Sequence, residues 1–241
     1  EAQRGAIVTT EVEMVMELCP CKVIGVTGSD GKTTTTTLIS KMLMEAGYNV
    51  YVGGNIGTPL LDKIDEVKES DMVVLELSSF QLLTMAQSAD VAVVTNVTPN
   101  HLDVHKDYDE YIACKTNIFK NQSFMGKVVL NGKCDITYEM SKLARGTVGF
   151  FAQDKENCLR NGDSKQITKA YLDGSMLCIE SNGKKTDIID EKDILIPGKH
   201  NVENYLAAIS ACFDYVTVDS ITKVAKNFGG VEHRIELIRE L

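Results

Sequence analysis

The residues best suited to chemistry lie in one stretch, Val23-Ile24-Gly25-Val26-Thr27-Gly28-Ser29-Asp30-Gly31-Lys32-Thr33-Thr34, where an apolar run meets glycines, a lysine and hydroxyls. A strand that passes through glycines into a helix is the setting of a phosphate-binding loop. Gly28 and Gly31 let backbone N–H groups turn inward around phosphate oxygens, the helix start adds partial positive charge, and Lys32 reaches terminal phosphates. Thr33 supplies a hydroxyl suited to Mg²⁺, and Ser29, Asp30 and Thr34 complete the loop. The spacing departs from the common G-x-x-x-x-G-K-[ST] form, because Val26 stands where the first glycine would be. A glycine-rich turn that only caps a helix is the plainer alternative. Five consecutive threonines, Thr33 to Thr37, lower helix propensity, so this first turn is kept for chemistry or packing.

Three further polar groups sit just past apolar runs, where ligands gather in wound α/β sheets. Glu76, in Leu75-Glu76-Leu77-Ser78-Ser79-Phe80-Gln81-Leu82, is an acid inside an otherwise apolar run. Desolvating it without a cation is costly, so a second Mg²⁺ near a γ-phosphate is the economical reading, with a helix-capping or salt-bridged glutamate as the alternative. His101 lies in the polar loop Asn96-Val97-Thr98-Pro99-Asn100-His101-Leu102-Asp103-Val104-His105 and is suited to binding metal as a neutral imidazole. A loop histidine taken alone is more often a surface residue, and His105 and Asp103 are read that way. Lys115, in Tyr111-Ile112-Ala113-Cys114-Lys115-Thr116-Asn117-Ile118, is by composition a solvated lysine on a helix.

The elements that must position these groups alternate in period. Short apolar runs, Val23 to Thr27, Asn49 to Val52, Met72 to Leu77, Val91 to Asn96 and Lys127 to Leu130, read as buried parallel strands. Thr33 to Ala46 carries a helical stripe of Leu38, Met42 and Leu43 that Gly47 ends as a left-handed cap, and Tyr108 to Phe119 is a second helix. After Gly146, runs at Tyr171 to Leu172, Met176 to Glu180 and Thr186 to Ile189 are separated by Asp173-Gly174 and Asn182-Gly183, which are hairpin signals. Helices at about Asn201 to Phe213 and Ser220 to Asn227 precede Gly229-Gly230. The expected fold is α/β: a phosphate-loop, Rossmann-like, mostly parallel sheet flanked by helices, with a small antiparallel β annex.

Bulk properties narrow the partners. Among 241 residues, 25 Lys and Arg face 34 Asp and Glu, a net charge of −9 with dispersed acids, which repels nucleic acid and anionic lipid. A phosphate ligand must therefore be held by local N–H groups, lysine and a cation. Seven cysteines, with Cys19-Pro20-Cys21 the one close pair, lack the second pair of a zinc site and read as free thiols of a reducing cytosol. No apolar run approaches the roughly 20 residues of a membrane span. A soluble, cytoplasmic monomer is expected. The chain starts at Glu1 and stops at Leu241 within the apolar alternation of Ile235 and Leu237, which reads as a cut on both sides. The amphipathic stretch Val12 to Leu18 looks like a connecting helix.

The loop T-G-S-D-G-K-T-T, the acid run at Glu76, His200-Asn201-Val202-Glu203-Asn204 and Glu232-His233-Arg234-Ile235-Glu236 occur in an order that resembles the Mur ligase superfamily, whose members join an amino acid to a carboxylate with ATP. The resemblance covers about Lys22 to Glu236. Gly54-Asn55-Ile56-Gly57 and Glu76 to Leu82 are similar to the branch that adds D-glutamate to UDP-N-acetylmuramoyl-L-alanine. Single motifs are moderately specific; their order is strong.

The resemblance implies ATP and two Mg²⁺ sites. Lys32 and Thr33 would hold phosphates and the first Mg²⁺, Glu76 and His101 the second, and Lys115 would carry a carbamate. Asn55 and Ser78 would face the muramoyl substrate, Asn201 and Asn204 the nucleotide, and Arg234 the phosphoryl groups. One departure is Asn100, where relatives commonly have aspartate, which puts the support of His101 in doubt. Residues 1–20 would be a linker stub from an absent N-terminal UDP-binding domain, 21–230 the central ATP-binding domain, and 231–241 the hinge into an absent C-terminal domain. Such a piece is expected to bind ATP weakly and to make no product alone. A sister ligase that adds a diamino acid, or a phosphate-loop nucleotide switch, are the rival readings.

Overall fold

The computed structural model describes residues 9–99, 105–158 and 166–231. In chain order the elements are α1 (Glu11–Leu18), β1 (Lys22–Thr27), α2 (Lys32–Glu45), β2 (Val50–Gly54), β3 (Met72–Glu76), α3 (Ser79–Leu83), β4 (Val91–Val94), α4 (Tyr108–Lys120), β5 (Lys127–Asn131), α5 (Asp135–Ser141), β6 (Thr147–Asp154), α6 (Lys155–Cys158), β7 (Gln166–Asp173), β8 (Met176–Ser181), β9 (Lys184–Asp190), α7 (Lys199–Cys212) and α8 (Val218–Asn227). The strands form one sheet in the order β2-β3-β1-β4-β5-β6-β7-β8-β9. Pairing is parallel from β2 through β7 and antiparallel for β7-β8-β9. The expected annex is thus present, but as the far edge of the main sheet.

The central strands are apolar on both faces, as a covered parallel sheet requires. Ile24, Val26, Val74 and Val93 face a core shared with α2, α7 and α8, while Val23, Val73, Leu75 and Val94 face a second core with α4 residues Tyr111, Ile118 and Phe119. This two-residue alternation sorts each strand between the layers. In α2, Leu38, Ile39, Met42 and Leu43 are all fully buried. At about 1.5–3 kcal/mol each, their burial exceeds the roughly 3 kcal/mol that five threonines cost in helix propensity. Packing therefore overrides the local preference of the threonine run.

Sheet order creates the site. β1 leads into α2 on one face, while its neighbours β3 and β4 lead into α3 and α4 against the other core. Chain paths thus diverge at the carboxyl tip of β1, and a crevice opens where ligands of wound sheets bind. Gly47, just beyond α2, has φ of +96° and ends the helix as the pattern predicts. Four of these elements escaped prediction: the eight-residue strand β6, and the short helices α3, α5 and α6.

Candidate active site

The loop between β1 and α2 is strapped to the segment that follows β4. Ser29 N–H donates to the Asn96 carbonyl at 3.0 Å, and Asp30 N–H donates to Asn96 Oδ1 at 2.9 Å. Thr95 Oγ1 donates to the Asp30 carbonyl at 2.6 Å. The Ser29 hydroxyl accepts from Thr98 N–H at 3.0 Å and lies 3.1 Å from the Tyr111 hydroxyl. Bonds from outside the loop thus set its shape before any ligand arrives. Gly31 starts α2 with φ of +79°, and a side chain there would strike Asn204 Oδ1. Glycine is needed on both counts.

Two lysines meet at this loop. Lys32 Nζ donates to the carbonyls of Gly28 and Ser29 at 3.0 and 2.9 Å, and Lys115 Nζ donates to the same Gly28 carbonyl at 2.9 Å. Lys115 is 1% exposed, which corrects the composition-based reading of a solvated residue. Its helix packs against the sheet with Tyr111, Ile118 and Phe119 buried, and the lysine lies on the same inward side, with Nζ 4.6 Å from the Tyr111 ring centroid. Burial, and then the charge of Lys32, bring its pKa down to about 7. A large fraction of this amine is therefore neutral near pH 7.

Glu76 ends β3 beside β1, with Val26 as its register partner, so its carboxylate lies at the neighbouring strand tip. The strand tips are locked by Leu77 N–H donating to the Val26 carbonyl at 2.8 Å and Thr27 Oγ1 donating to the Leu77 carbonyl at 2.8 Å. The carboxylate is 1% exposed; Oε1 accepts from Asn55 Nδ2 at 2.9 Å, and Oε2 is buried with no hydrogen-bond partner among the described residues. Gly54, with φ of +90°, lets the chain pass so close that a side chain would collide with the Glu76 carbonyl, and this brings Asn55 to the acid. A buried, half-satisfied carboxylate fits a cation. Among the described residues no group of three or more His, Cys, Asp or Glu gathers here, so a bound Mg²⁺ would draw its other ligands from hydroxyl, phosphate and water, as Mg²⁺ commonly does.

The remaining predicted residues fall around this centre. Thr33 and Thr34 lie in the first turn of α2, with Thr33 buried. Ser78 caps α3: its Oγ accepts from Gln81 N–H at 3.3 Å, and Gln81 Oε1 accepts from Ser78 N–H at 2.9 Å. Asn201 and Asn204, one turn apart on α7, are buried; Asn204 Nδ2 donates to Asn201 Oδ1 at 3.4 Å, and Asn201 Nδ2 to the Pro197 carbonyl at 2.6 Å. They line a cavity of about 230 Å³ with Asp30, Gly31, Thr34 and His200, directly against the loop. His101, Asn100, Asp103 and Arg234 lie outside the described residues.

His105 corrects a second expectation. It is 5% exposed, with Nε2 2.9 Å from Ser79 Oγ and Nδ1 3.5 Å from Glu110 Oε2. Its ring stacks on Phe80 at 5.5 Å and meets Tyr111 edge-on at 5.3 Å. It thus ties the segment before α4 to α3, immediately after Glu76. Sequence reasoning also missed Thr95, Asn96 and Tyr111 as loop supports. The polar run after β4 signalled the first two; nothing in the local pattern signalled Tyr111.

Residues 26–212 match the family model described as the Mur ligase middle domain. The chain is 54% identical over 239 residues to a UDP-N-acetylmuramoylalanine--D-glutamate ligase of Acetivibrio thermocellus, covering 99% of this chain and 49% of that protein. It is 51% identical over 237 residues to the protein of the same name in Ruminiclostridium cellulolyticum, covering 98% of this chain and 49% of the relative. The chain thus spans about half the length of these curated relatives. In fold it is similar to the UDP-N-acetylmuramoylalanyl-D-glutamyl-2,6-diaminopimelate--D-alanyl-D-alanyl ligase of Acinetobacter baumannii, with a TM-score of 0.67 at 19% identity over 95% of this chain and 51% of that one. Because the family model spans most of the sequence and close relatives run along nearly all of it, this chain belongs to the Mur ligase family and carries its middle domain.

Proposed function

We propose that this chain is the ATP-binding part of an enzyme that adds D-glutamate to UDP-N-acetylmuramoyl-L-alanine in cytoplasmic peptidoglycan precursor synthesis. Mur ligases in general use ATP and Mg²⁺. In this reading residues 21–230 form the ATP-binding domain, 1–20 connect from an upstream UDP-binding domain, and 231–241 lead into a downstream one. The name shared by relatives at about half identity supports the substrate pair. The observation that carries the chemistry is Glu76 Oε2, buried on the strand next to the phosphate loop and without a partner among the described residues. Leaving such an atom unsatisfied costs about 1–3 kcal/mol or more, a penalty that a divalent cation removes.

In the reaction, the carboxylate of the muramoyl substrate attacks the γ-phosphorus of ATP and ADP leaves. The amine of D-glutamate then attacks the acyl phosphate, the tetrahedral intermediate expels phosphate, and the amine proton passes to solvent. Lys32 offsets charge on the transferred group, with Arg234 assigned the same task by family resemblance. Thr33 would hold one Mg²⁺ and Glu76 with His101 the other, and the metal would supply further charge neutralisation there. Asn201 and Asn204 border the nucleotide, and Asn55 and Ser78 the muramoyl end. The neutral fraction of Lys115 can add CO₂: nitrogen attacks carbon, a proton is lost to solvent, and an anionic carbamate oxygen that would suit a cation replaces the ammonium.

The test is a ligation assay on the complete enzyme with D-glutamate and a diamino acid offered separately. Lys32→Ala is expected to lower turnover by about 10²–10³-fold or more. Near-normal turnover rejects the assignment of the loop, and a preference for the diamino acid moves the protein to the sister branch.

A further inference from the structure

Away from the loop, at the opposite end of β1, two cysteine sulfurs touch. Cys19 closes α1 in extended conformation, Pro20 follows, and Cys21 precedes β1. The Sγ atoms are 3.4 Å apart. All seven cysteines are free thiols; Cys19 and Cys134 are half-buried and the others buried. Cys19 and Cys21 border an opening of about 540 Å³ with Met16, Lys22, Glu69 and Asp90, within the size range of small-molecule sites. We propose that Cys19 and Cys21 form a reactive dithiol that takes low-molecular-weight disulfides of the glutathione class and closes to an internal disulfide joining α1 to β1.

Geometry favours closure. An S–S bond of about 2.05 Å needs the sulfurs to approach by roughly 1.3–1.4 Å, a movement available to a half-exposed side chain at a helix end. Burial, and then the hydrogen bond to Cys19, push the Cys21 thiol up to about 12, so Cys21 keeps its proton and Cys19 reacts first. The Cys19 thiolate attacks one sulfur of the reagent, forming a mixed disulfide and releasing one thiolate. With Cys19 in the mixed disulfide its charge and hydrogen bond no longer hold the Cys21 proton, which passes to the first released thiolate; the Cys21 thiolate attacks Cys19 Sγ and displaces the second thiolate, which takes up the proton that Cys19 gave to solvent. Two protein thiols are oxidised and one disulfide is reduced to two thiols.

Cys134 is a built-in control, since its sulfur is directed at the Val97 carbonyl, 3.8 Å away, with no cysteine sulfur against it. The experiment treats the chain with oxidised glutathione and maps each cysteine by peptide mass spectrometry. The expected result is a glutathione adduct retained at Cys134, and a Cys19–Cys21 peptide that has lost two hydrogens and carries no glutathione. In C21S the adduct should persist at Cys19, with occupancy roughly tenfold or more above wild type, because the resolving thiol is gone. In C19S, residue 21 should stay unmodified. Retention of glutathione on Cys19 in the wild type, or absence of reaction at Cys19 while Cys134 reacts, overturns the proposal. C19S and C21S lie outside the phosphate loop, so a melting temperature like that of the wild type shows that either variant is folded.

Discussion

The two ends of the parallel sheet treat charge in opposite ways. At the amino ends of the strands, charge is paired. Lys127, at the start of β5, reaches Asp214 at 2.8 Å; Asp90 accepts from Lys22 Nζ at 3.0 Å and Val23 N–H at 2.9 Å; and buried Asp71 accepts from Lys68 N–H at 2.9 Å. At the carboxyl ends charge is left exposed to its neighbours. Among the described residues Glu76 keeps one oxygen without a hydrogen-bond partner, and Lys115 faces the Gly28 carbonyl and the charge of Lys32. The first arrangement holds the fold together; the second stores a demand that phosphate and metal can meet.

Neutralising the stored charge tests this contrast most severely. Glu76→Gln keeps the shape and an acceptor for Asn55, so it should lower Mg²⁺-dependent turnover by roughly 10²–10³-fold while leaving the melting temperature equal or higher. Unchanged turnover, or a large drop in melting temperature, would mean that the acid serves structure.

Lys115 gives the next largest effect, read in stability. Its folded pKa of about 7 lies below the ordinary 10.5. Between these values the unfolded chain binds one more proton than the folded one, so stability rises with pH across that window and the full penalty applies below about 7. Lys115→Met should flatten this slope in urea denaturation of the ligand-free protein; an unchanged slope would place the titration elsewhere.

At the opposite end, Asp214→Asn should cost about 1 kcal/mol in urea denaturation, a value kept small because the Asp214 side chain is 50% exposed, and should leave turnover unchanged. Equal stability loss at both ends would erase the distinction. The smallest effect is expected for His105→Gln, which retains a polar contact to Ser79: about 0.5 kcal/mol of stability, with a rise in the Mg²⁺ concentration needed for half-maximal turnover if the segment before α4 positions a metal ligand.

Much of this architecture is legible in local pattern. The first five strands of the chain, the phosphate loop and the hairpins at Asp173-Gly174 and Asn182-Gly183 announce themselves through apolar runs and turn residues. β6 does not, because Gly149 interrupts it and its pairing on both sides with β5 and β7, which the sequence does not display, supplies the stabilisation. Tyr171-Leu172 marked only the core of β7, whose true extent is Gln166–Asp173. In the site, Lys32 and Glu76 stand out because their types are unusual in their surroundings. Lys115 and His105 do not, since burial is a tertiary property: the same lysine on a solvent-facing turn would look identical in the chain. Tyr111 is silent for the same reason.

The press of Asn204 against Gly31 sets a timetable for making the molecule. Asn204 bonds to Thr35 across 169 residues of chain. At about 5–20 residues per second, ribosomes would take roughly 10–30 seconds to reach it after the loop has been synthesised. For that interval the nascent polypeptide carries a glycine turn whose far wall has not yet been translated, so nucleotide capture on the ribosome must await the synthesis of α7.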